Sequence, residues 1–542
     1  MRHMARLGVR GARPLAALLL IPLAACAAPA AGTAAVPRPT TLTAHAAGPT
    51  ASRTPSGTPS EAQSPEASKA EAKVKPTRRP DRHRGPDRRP NILFISTDDQ
   101  ADYDLRWMPN TRRLIADQGV SFTDFVSPHP LCCPARAMML TGQYAQNNGV
   151  RHNEGPYGGY KRFHPRHTVA TWLHRAGYQT AFVGKYLNGY EHRARGRERG
   201  WDIWNPTIRG VYRYYGYTMY DNGHPRYYGD VHNADLVGAK TVDYIKRLAK
   251  SDKPFFIWSS QVAPHGACVP SEELTCWSPP VPAHRHALMF ADATPPSMSD
   301  PSYNEADVGD KPGYVRHKGP VLDAHMRNYF VSRIRSLQAV DEAVERAVAA
   351  LRQAGELDNT MIVFTSDNGY LLGEHRLATK NVGYEQALQV PLLVRGPGIP
   401  AGVERDTAAG TLDLAPTFLD AAHADADITV DGLSLLPAAR DGAGVDRDTM
   451  LLQSGPVTDA DLPYGWFYRG VRTARYTYLY YPATTEAELY DRKLDPHELT
   501  SVSGDPRYRA VEAELAARVD ALASCNGADC RRTFGPVPGP AE

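Results

Sequence analysis

The sequence predicts an α/β fold: a large, mainly parallel sheet sandwiched by helices, followed by a smaller C-terminal α+β part with an antiparallel sheet. Short apolar runs alternate with helical patterns from about residue 90 onward, as they do where a parallel sheet is covered by its own crossover helices. Those runs are continuous rather than alternating, which strands buried on both faces require. Beyond about residue 431 the pieces shorten and fill with Tyr and Thr, residues that suit antiparallel strands.

The first strand is Asn91-Ile92-Leu93-Phe94-Ile95. Ala181-Phe182-Val183, Phe255-Phe256-Ile257-Trp258, Met361-Ile362-Val363-Phe364 and Pro391-Leu392-Leu393-Val394 repeat its continuous apolar character. A helix is expected from about Asn328 to Ala354, where Val331, Ile334, Leu337, Val340, Val344, Val348 and Leu351 recur at helical spacing. Antiparallel strands are expected between Arg472 and Tyr481 and at Glu488-Leu489-Tyr490, and a last helix carries Val511, Leu515, Val519 and Leu522. No internal repeat is visible. The organisation expected is a large domain over residues 90–430, a C-terminal subdomain over 431–530 and a tail over 531–542.

The chain has 542 residues and a formal charge of +3, long enough for a large core and too weakly basic for a dedicated nucleic-acid binder. Its N-terminus reads as a targeting segment. Arg2, Arg6 and Arg10 precede an apolar run from Leu15 to Leu23, too short for a permanent membrane span. Leu23-Ala24-Ala25-Cys26 resembles a bacterial lipoprotein box, so cleavage after residue 25 and a lipid on Cys26 are expected, with an ordinary signal peptide as the alternative. Either way export is expected, to the cell surface on its lipid or as a secreted protein. Residues 26–89 are rich in Ala, Pro, Thr and Ser and end in a basic run. Nothing there can build a core, and a coil of that length reaches roughly 40 Å, which suits a tether.

In an exported chain the seven cysteines must each be assigned. Cys26 takes lipid. Cys268 with Cys276, and Cys525 with Cys530, are close pairs in polar segments, suited to two local disulfides. Cys132 and Cys133 remain; a vicinal disulfide between them is one reading, though the ring it closes is strained.

Ligand sites in open α/β sheets lie beyond the carboxyl ends of the strands, and polar residues recur there. The first strand runs into Asp98-Asp99, the Met361 strand into Asp367-Asn368, the Ala181 strand into Gly184-Lys185, and the Phe255 strand toward Pro264-His265. Singly, such residues cap helices or make turns. Together, Asp98, Asp99, Asp367 and Asn368 form an oxygen-only ligand set that favours Ca²⁺ or Mg²⁺ over zinc. In Leu131-Cys132-Cys133-Pro134-Ala135-Arg136, Pro134 suits a first helical turn. Cys132 is therefore expected at a helix N-terminus, where anions bind, with Arg136 close by.

Cys132-Cys133-Pro134-Ala135-Arg136 followed by Thr141-Gly142 resembles the signature of the type I sulfatase family, within the alkaline phosphatase superfamily. GKYLNGY at 184–190, PSYNEADV at 301–308, SDNGY at 366–370 and GEHRL at 373–377 look like the branch containing N-acetylglucosamine-6-sulfatases. The resemblance runs from about residue 90 to about 530. It implies that Cys132 is oxidised to formylglycine by a formylglycine-generating enzyme. One hydroxyl of the hydrated aldehyde then attacks sulfur, and the other expels sulfate. It implies Ca²⁺, ahead of Mg²⁺, bound by Asp98, Asp99, Asp367 and Asn368 beside residue 132, and a cationic clamp of Arg136, Lys185 and Lys380. His265 matches a histidine on the leaving-group side, where it or Lys380 can act as general acid. His152, Asn153, Asn188 and His375 are candidate substrate contacts, with surface loops as the alternative.

The chain departs from the family at Leu187, Gln146-Asn147-Asn148 and Leu371, positions where histidines are frequent. Those departures bear on the substrate, expected to be a sulfated glycan or a small sulfate ester. The competing expectations are an arylsulfatase, a formylglycine-dependent phosphonate or phosphate ester hydrolase, and an inactive wall-associated binding protein.

Overall fold

The computed structural model describes residue 87 and residues 89–192, 196–268, 278–445 and 447–542. The leader, Cys26, Cys276 and all but the last residues of the basic linker lie outside the described residues. No helix among the described residues is long and apolar enough to cross a membrane.

Sixteen strands are described. β1 (Asn91–Thr97), β2 (Val120–Phe122), β3 (Phe125–Val126), β4 (Gln179–Gly184), β5 (Ile203–Arg209), β6 (Tyr217–Asp221), β7 (His224–Tyr228) and β8 (Phe255–Ser260) form the first half. The second half is β9 (Thr360–Ser366), β10 (Leu392–Arg395), β11 (Val403–Arg405), β12 (Ala409–Gly410), β13 (Thr449–Ser454), β14 (Tyr468–Thr473), β15 (Tyr476–Tyr481) and β16 (Glu486–Asp491). Ten of them make one sheet in the order β11-β2-β10-β9-β1-β8-β4-β5-β6-β7. Its centre, β9-β1-β8-β4-β5, is parallel throughout. β10 runs antiparallel to β9, and the β6–β7 hairpin adds an antiparallel edge.

The continuous apolar runs make physical sense in this sheet. Alternate residues of one strand enter two different cores: Ile92 and Phe94 pack on one face, Leu93 and Ile95 on the other. Phe256 and Trp258 against Phe255 and Ile257, and Met361 and Val363 against Ile362 and Phe364, divide in the same way. The helix Asp323–Gln353 covers the second face with Leu337, Val340, Val344, Val348 and Leu351, alongside the helix Asn233–Leu248. Each such side chain, fully buried, contributes roughly 1.5–3 kcal/mol. The helices Cys132–Thr141, Val169–Arg175 and Leu414–Ala421 cover the first face.

The C-terminal sheet, β13-β14-β15-β16, is antiparallel throughout. The helix Arg509–Leu522 packs Val511, Leu515, Val519 and Leu522 into its core. Cys525 and Cys530 are bonded. Cys268 is also disulfide-bonded, and the partner expected for it, Cys276, lies outside the described residues. Cys132 and Cys133 are free thiols, so the vicinal disulfide is absent.

Candidate active site

Four neighbouring parallel strands deliver their carboxyl ends to one place. Gly184 is required there, because a Cβ on it would lie 1.7 Å from the Ser260 carbonyl oxygen, and its φ of +110° turns the chain so that Lys185 leaves the strand. At the end of β1, Asp99 adopts a φ of 65°, a left-handed conformation that costs a non-glycine residue about 1–2 kcal/mol. Its surroundings hold it there: its N–H donates to Asp367 Oδ1 at 3.2 Å and its carbonyl accepts from Arg333 at 2.5 Å.

The helix carrying Cys132 starts at that residue, after an extended Leu131, and ends at Gly142 in the left-handed region. Its first turn brings Cys132 and Arg136 against the strand ends. Arg136 donates from Nε to Asp367 Oδ2 at 2.7 Å and from Nη1 to the Lys185 carbonyl and Ser260 Oγ at 2.8 and 2.7 Å. Its Nη2 lies 3.5 Å from Asp98 Oδ2 and has no hydrogen-bond partner. Lys185 pairs with Asp98, and Lys380 with Asp99. Cys132 Sγ lies 2.8 Å from Lys380 Nζ and 3.4 Å from Asp98 Oδ1. Asn368 donates to Asp99 Oδ1 at 2.7 Å, while its own Oδ1 is buried without a partner.

Three carboxylates (Asp98, Asp99, Asp367) thus face three cations (Arg136, Lys185, Lys380). Burial alone would raise the Asp98 carboxyl, but Lys185, His265 and Arg136 outweigh it and hold it below its ordinary value. Burial likewise opposes ionisation of Asp99, and Lys380 and His265 reverse the sign. Burial, with the Asp98 charge added, pushes the Cys132 thiol up to about 12. Burial lowers His265, whose Nδ1 lies 2.7 Å from the Gly266 carbonyl oxygen and whose Nε2 lies 3.6 Å from Asp99 Oδ2. With Nδ1 as the donor to that carbonyl, Nε2 is the nitrogen left for chemistry.

Ligand atoms of Asp98, Asp99, Cys132 and His265 lie within 4.8 Å of one another, a buried group able to hold a metal. Asp367 and Asn368 adjoin it through Asp99. The unpartnered Asn368 oxygen and the crowded carboxylates fit a hard cation, whose ligands are oxygens.

A cavity of about 630 Å³ opens on this cluster, lined by Asp99, His265 and Lys380 and, farther out, by Asn153, Asn188 and Tyr212. Asn153 Oδ1 accepts the Cys133 N–H at 2.8 Å, and Asn188 donates to the Tyr212 hydroxyl at 2.6 Å. His152 is half-buried beside Asn153, its ring nitrogen 3.4 Å from the Glu154 N–H, and is not among the lining residues. His375 does not face the cavity. Its backbone φ of 51° turns the ring inward, where it is fully buried, 2.7 Å from Glu305 and stacked on Tyr384. The contact with Glu305 and the stacked ring, both buried, leave it no surface toward the cavity.

Sequence reasoning missed Tyr212, Tyr329 and Tyr370 on the cavity wall, and Arg333 beneath it. Tyr329 and Tyr370 stack with centroids 5.7 Å apart. Arg333 is fully buried against Asp104 at 2.6 Å. An arginine between the apolar helix positions Phe330, Val331 and Ile334 was the available signal for it.

Residues 90–424 match the family model for Sulfatase, and residues 373–524 match that for the C-terminal part of N-sulphoglucosamine sulphohydrolase. An arylsulfatase of Volvox carteri is 32% identical over 496 residues, spanning 81% of this chain and 75% of that protein. The human N-acetylglucosamine-6-sulfatase is 31% identical over 495 residues, spanning 82% and 86%. A solved structure of a protein in complex with its substrate D-glucosamine-2-N,6-O-disulfate superposes with a TM-score of 0.66 at 25% identity, covering 80% of this chain and 97% of the other. With the family match spanning the strands that build the cluster, and similarity over about four-fifths of its length, the chain belongs to the sulfatase family and is a sulfuric ester hydrolase.

Proposed function

We propose that the enzyme hydrolyses sulfate esters of sugars, with 6-sulfated N-acetylglucosamine as the leading substrate, through a formylglycine made from Cys132 and a bound Ca²⁺. The observation that carries this reading is the convergence of Asp98, Asp99, Asp367, Arg136, Lys185 and Lys380 around one buried cysteine beside a cavity. The sugar preference is supported by the similarity to the N-acetylglucosamine-6-sulfatase and to the glucosamine disulfate complex.

Asp98, Asp99, Asp367 and Asn368 would hold the ion. Bound there, Ca²⁺ supplies positive charge beside residue 132 and the ester's sulfonate oxygens, while the hydrated aldehyde supplies a nucleophile that can release sulfate by collapse rather than by water attack. The chain's own residues do the rest. Lys185, Lys380 and Arg136 are preorganised cations that bind the sulfonate oxygens and neutralise charge growing on them. Either His265 in its imidazolium form, with Nδ1 donating to the Gly266 carbonyl and the second proton on Nε2, or the Lys380 ammonium gives a proton to the departing sugar oxygen. A leader of either kind, lipoprotein or ordinary signal peptide, would suit work outside the cytoplasm, as does the Cys525–Cys530 disulfide, a bond typical of oxidising compartments.

Two measurements test the reading. The tryptic peptide containing residue 132 should be about 18 mass units lighter than its thiol form, as an aldehyde in place of a thiol requires. The purified enzyme should release sulfate from 6-sulfated N-acetylglucosamine faster than from an aryl sulfate, and faster than it releases phosphate or phosphonate from matched esters. A peptide found only as thiol, or a preference for the phosphorus esters, would sink it.

A further inference from the structure

Tyr212 lies in the excursion between β5 and β6, and it touches three residues at the site. Its ring lies face to face with the His265 imidazole, the centroids 4.2 Å apart and the planes 23° from parallel. The Lys185 ammonium stands 4.5 Å from the centroid of the same ring. The Tyr212 hydroxyl accepts the hydrogen bond from Asn188 described above. Its carbonyl accepts from the N–H of Cys268, at 3.2 Å, which ties the excursion to the chain that follows His265.

Both neighbours need such a support. The lysine carries its charge on a flexible four-carbon stem, and its ion pair with Asp98 fixes the ammonium at one point only. The imidazole is held at Nδ1 by one carbonyl, which leaves its plane to be set by whatever packs on its face. An aromatic face does both jobs, since it attracts an ammonium and blocks rotation of a stacked ring.

We propose that Tyr212 is a positioning residue for sulfate-ester hydrolysis: its ring sets the plane of His265 and seats the Lys185 ammonium, so that both point at the sulfate end of the cavity. This rests on the sulfatase reading of the site. Tyr212 also lines the cavity, so the competing role is a wall that contacts the sugar, and the two roles differ in which kinetic constant they move.

The test compares Tyr212→Phe with Tyr212→Leu in the mature enzyme, with formylglycine content and Tm measured on the same preparations. Tyr212→Phe keeps the ring and should hold kcat within about 3-fold of wild type. Tyr212→Leu should lower kcat about 10- to 100-fold, with KM changed less than about 3-fold, because misplacement by about 1 Å costs that much. Inhibition by inorganic sulfate should weaken in Tyr212→Leu and not in Tyr212→Phe. A crystal structure of the leucine variant should show the His265 ring rotated from its present plane, a readout that needs no turnover. If the leucine variant does not fold, Tyr212→Met fills the same space without a ring.

A raised KM at unchanged kcat would make Tyr212 a sugar contact, and an equal loss in the phenylalanine variant would assign the effect to the hydroxyl; either overturns the proposal. So does an unmoved His265 ring. A wild-type enzyme that turns over no sulfate ester would fail the sulfatase reading instead, and the ring orientation in the crystal would still decide the role of Tyr212.

Discussion

Two clusters of buried carboxyl groups show how differently one fold can handle the same chemistry. Around Cys132, Asp98 and Asp99 are held ionised by lysines and arginine, yet Arg136 Nη2 and Asn368 Oδ1 remain unpartnered. At the contact between the catalytic part and the C-terminal sheet, Glu488 is equally buried, but three phenols saturate it: Tyr384 at 2.7 Å, Tyr490 at 2.5 Å and Tyr481 at 2.5 Å. Burial raises its carboxyl despite those hydrogen bonds. The first cluster keeps charge and spare hydrogen-bonding capacity beside a cavity; the second spends all its capacity on packing. Unspent polar capacity in the interior is costly, and an arginine nitrogen and an amide oxygen left unpartnered among buried charges beside a cavity are what a ligand there can use.

The largest effect expected from breaking this contrast is on turnover. Asp367→Ala and Arg136→Lys should each lower kcat by about 10³-fold, the scale for losing a preorganised charge contact. The conservative lysine avoids leaving Asp367 as an unpaired buried charge, which Arg136→Ala would do at about 3–5 kcal/mol, while Asp98 keeps Lys185. Initial rates on a sulfate ester, alongside Tm, check this; activity within tenfold of wild type would remove Asp367 or Arg136 from the mechanism. Chelation is the next largest effect. Removing Ca²⁺ should lower the stability of the wild type by about 3 kcal/mol relative to a hundredfold excess over Kd, and Asp367→Ala should show almost none of that response. An identical calcium response in both proteins would place the ion elsewhere.

Much of the first cluster was legible in the sequence, because its residues follow strands whose apolar runs announce themselves. Asp98, Lys185, His265 and Asp367 all come after such runs, and a parallel sheet must bring those ends together. What was not legible arrives from elsewhere in the chain. Tyr212 comes from an excursion between β5 and β6 that carries no apolar run, although Asn222-Gly223, with φ of 48° and 103°, is the turn signal of the β6–β7 hairpin. The direction of β10 was hidden as well, since an apolar run reads the same whether its strand is parallel or antiparallel. His375 misled for a local reason: the GEHRL segment looks like an exposed loop, but a left-handed residue reverses the side chain into the core.

The second cluster predicts the opposite phenotype from the first. Glu488→Ala leaves Tyr384 and Tyr490 without this acceptor, while Tyr481 keeps Tyr314 at 3.3 Å, and should cost about 2–6 kcal/mol, on a scale of 1–3 kcal/mol for each unsatisfied group, with kcat per folded molecule unchanged. Urea unfolding together with initial rates measures both. A kcat that falls in proportion to stability would mean that the two clusters are not energetically separate.

Glu374 sharpens the comparison, because it lies on the segment between the two clusters and belongs by its physics to the second. It is buried, with Leu372 N–H donating to Oε2 at 2.5 Å, and burial, with the charge of Asp300 added, raises its carboxyl to about 7. A carboxyl raised in the folded state contributes stability that is present below its ordinary value, near 4.5, and lost as the pH climbs through about 7. Glu374→Gln cannot ionise and escapes that loss. Its stability relative to wild type should therefore be nearly constant below about pH 4.5, grow by up to about 3 kcal/mol toward pH 7, and level off above. Urea midpoints for the two proteins at about pH 5, 6.5 and 8 trace the curve. Parallel stability profiles would mean that Glu374 is ionised in the folded protein, as Asp98 and Asp99 are, and that it belongs with the charged cluster after all.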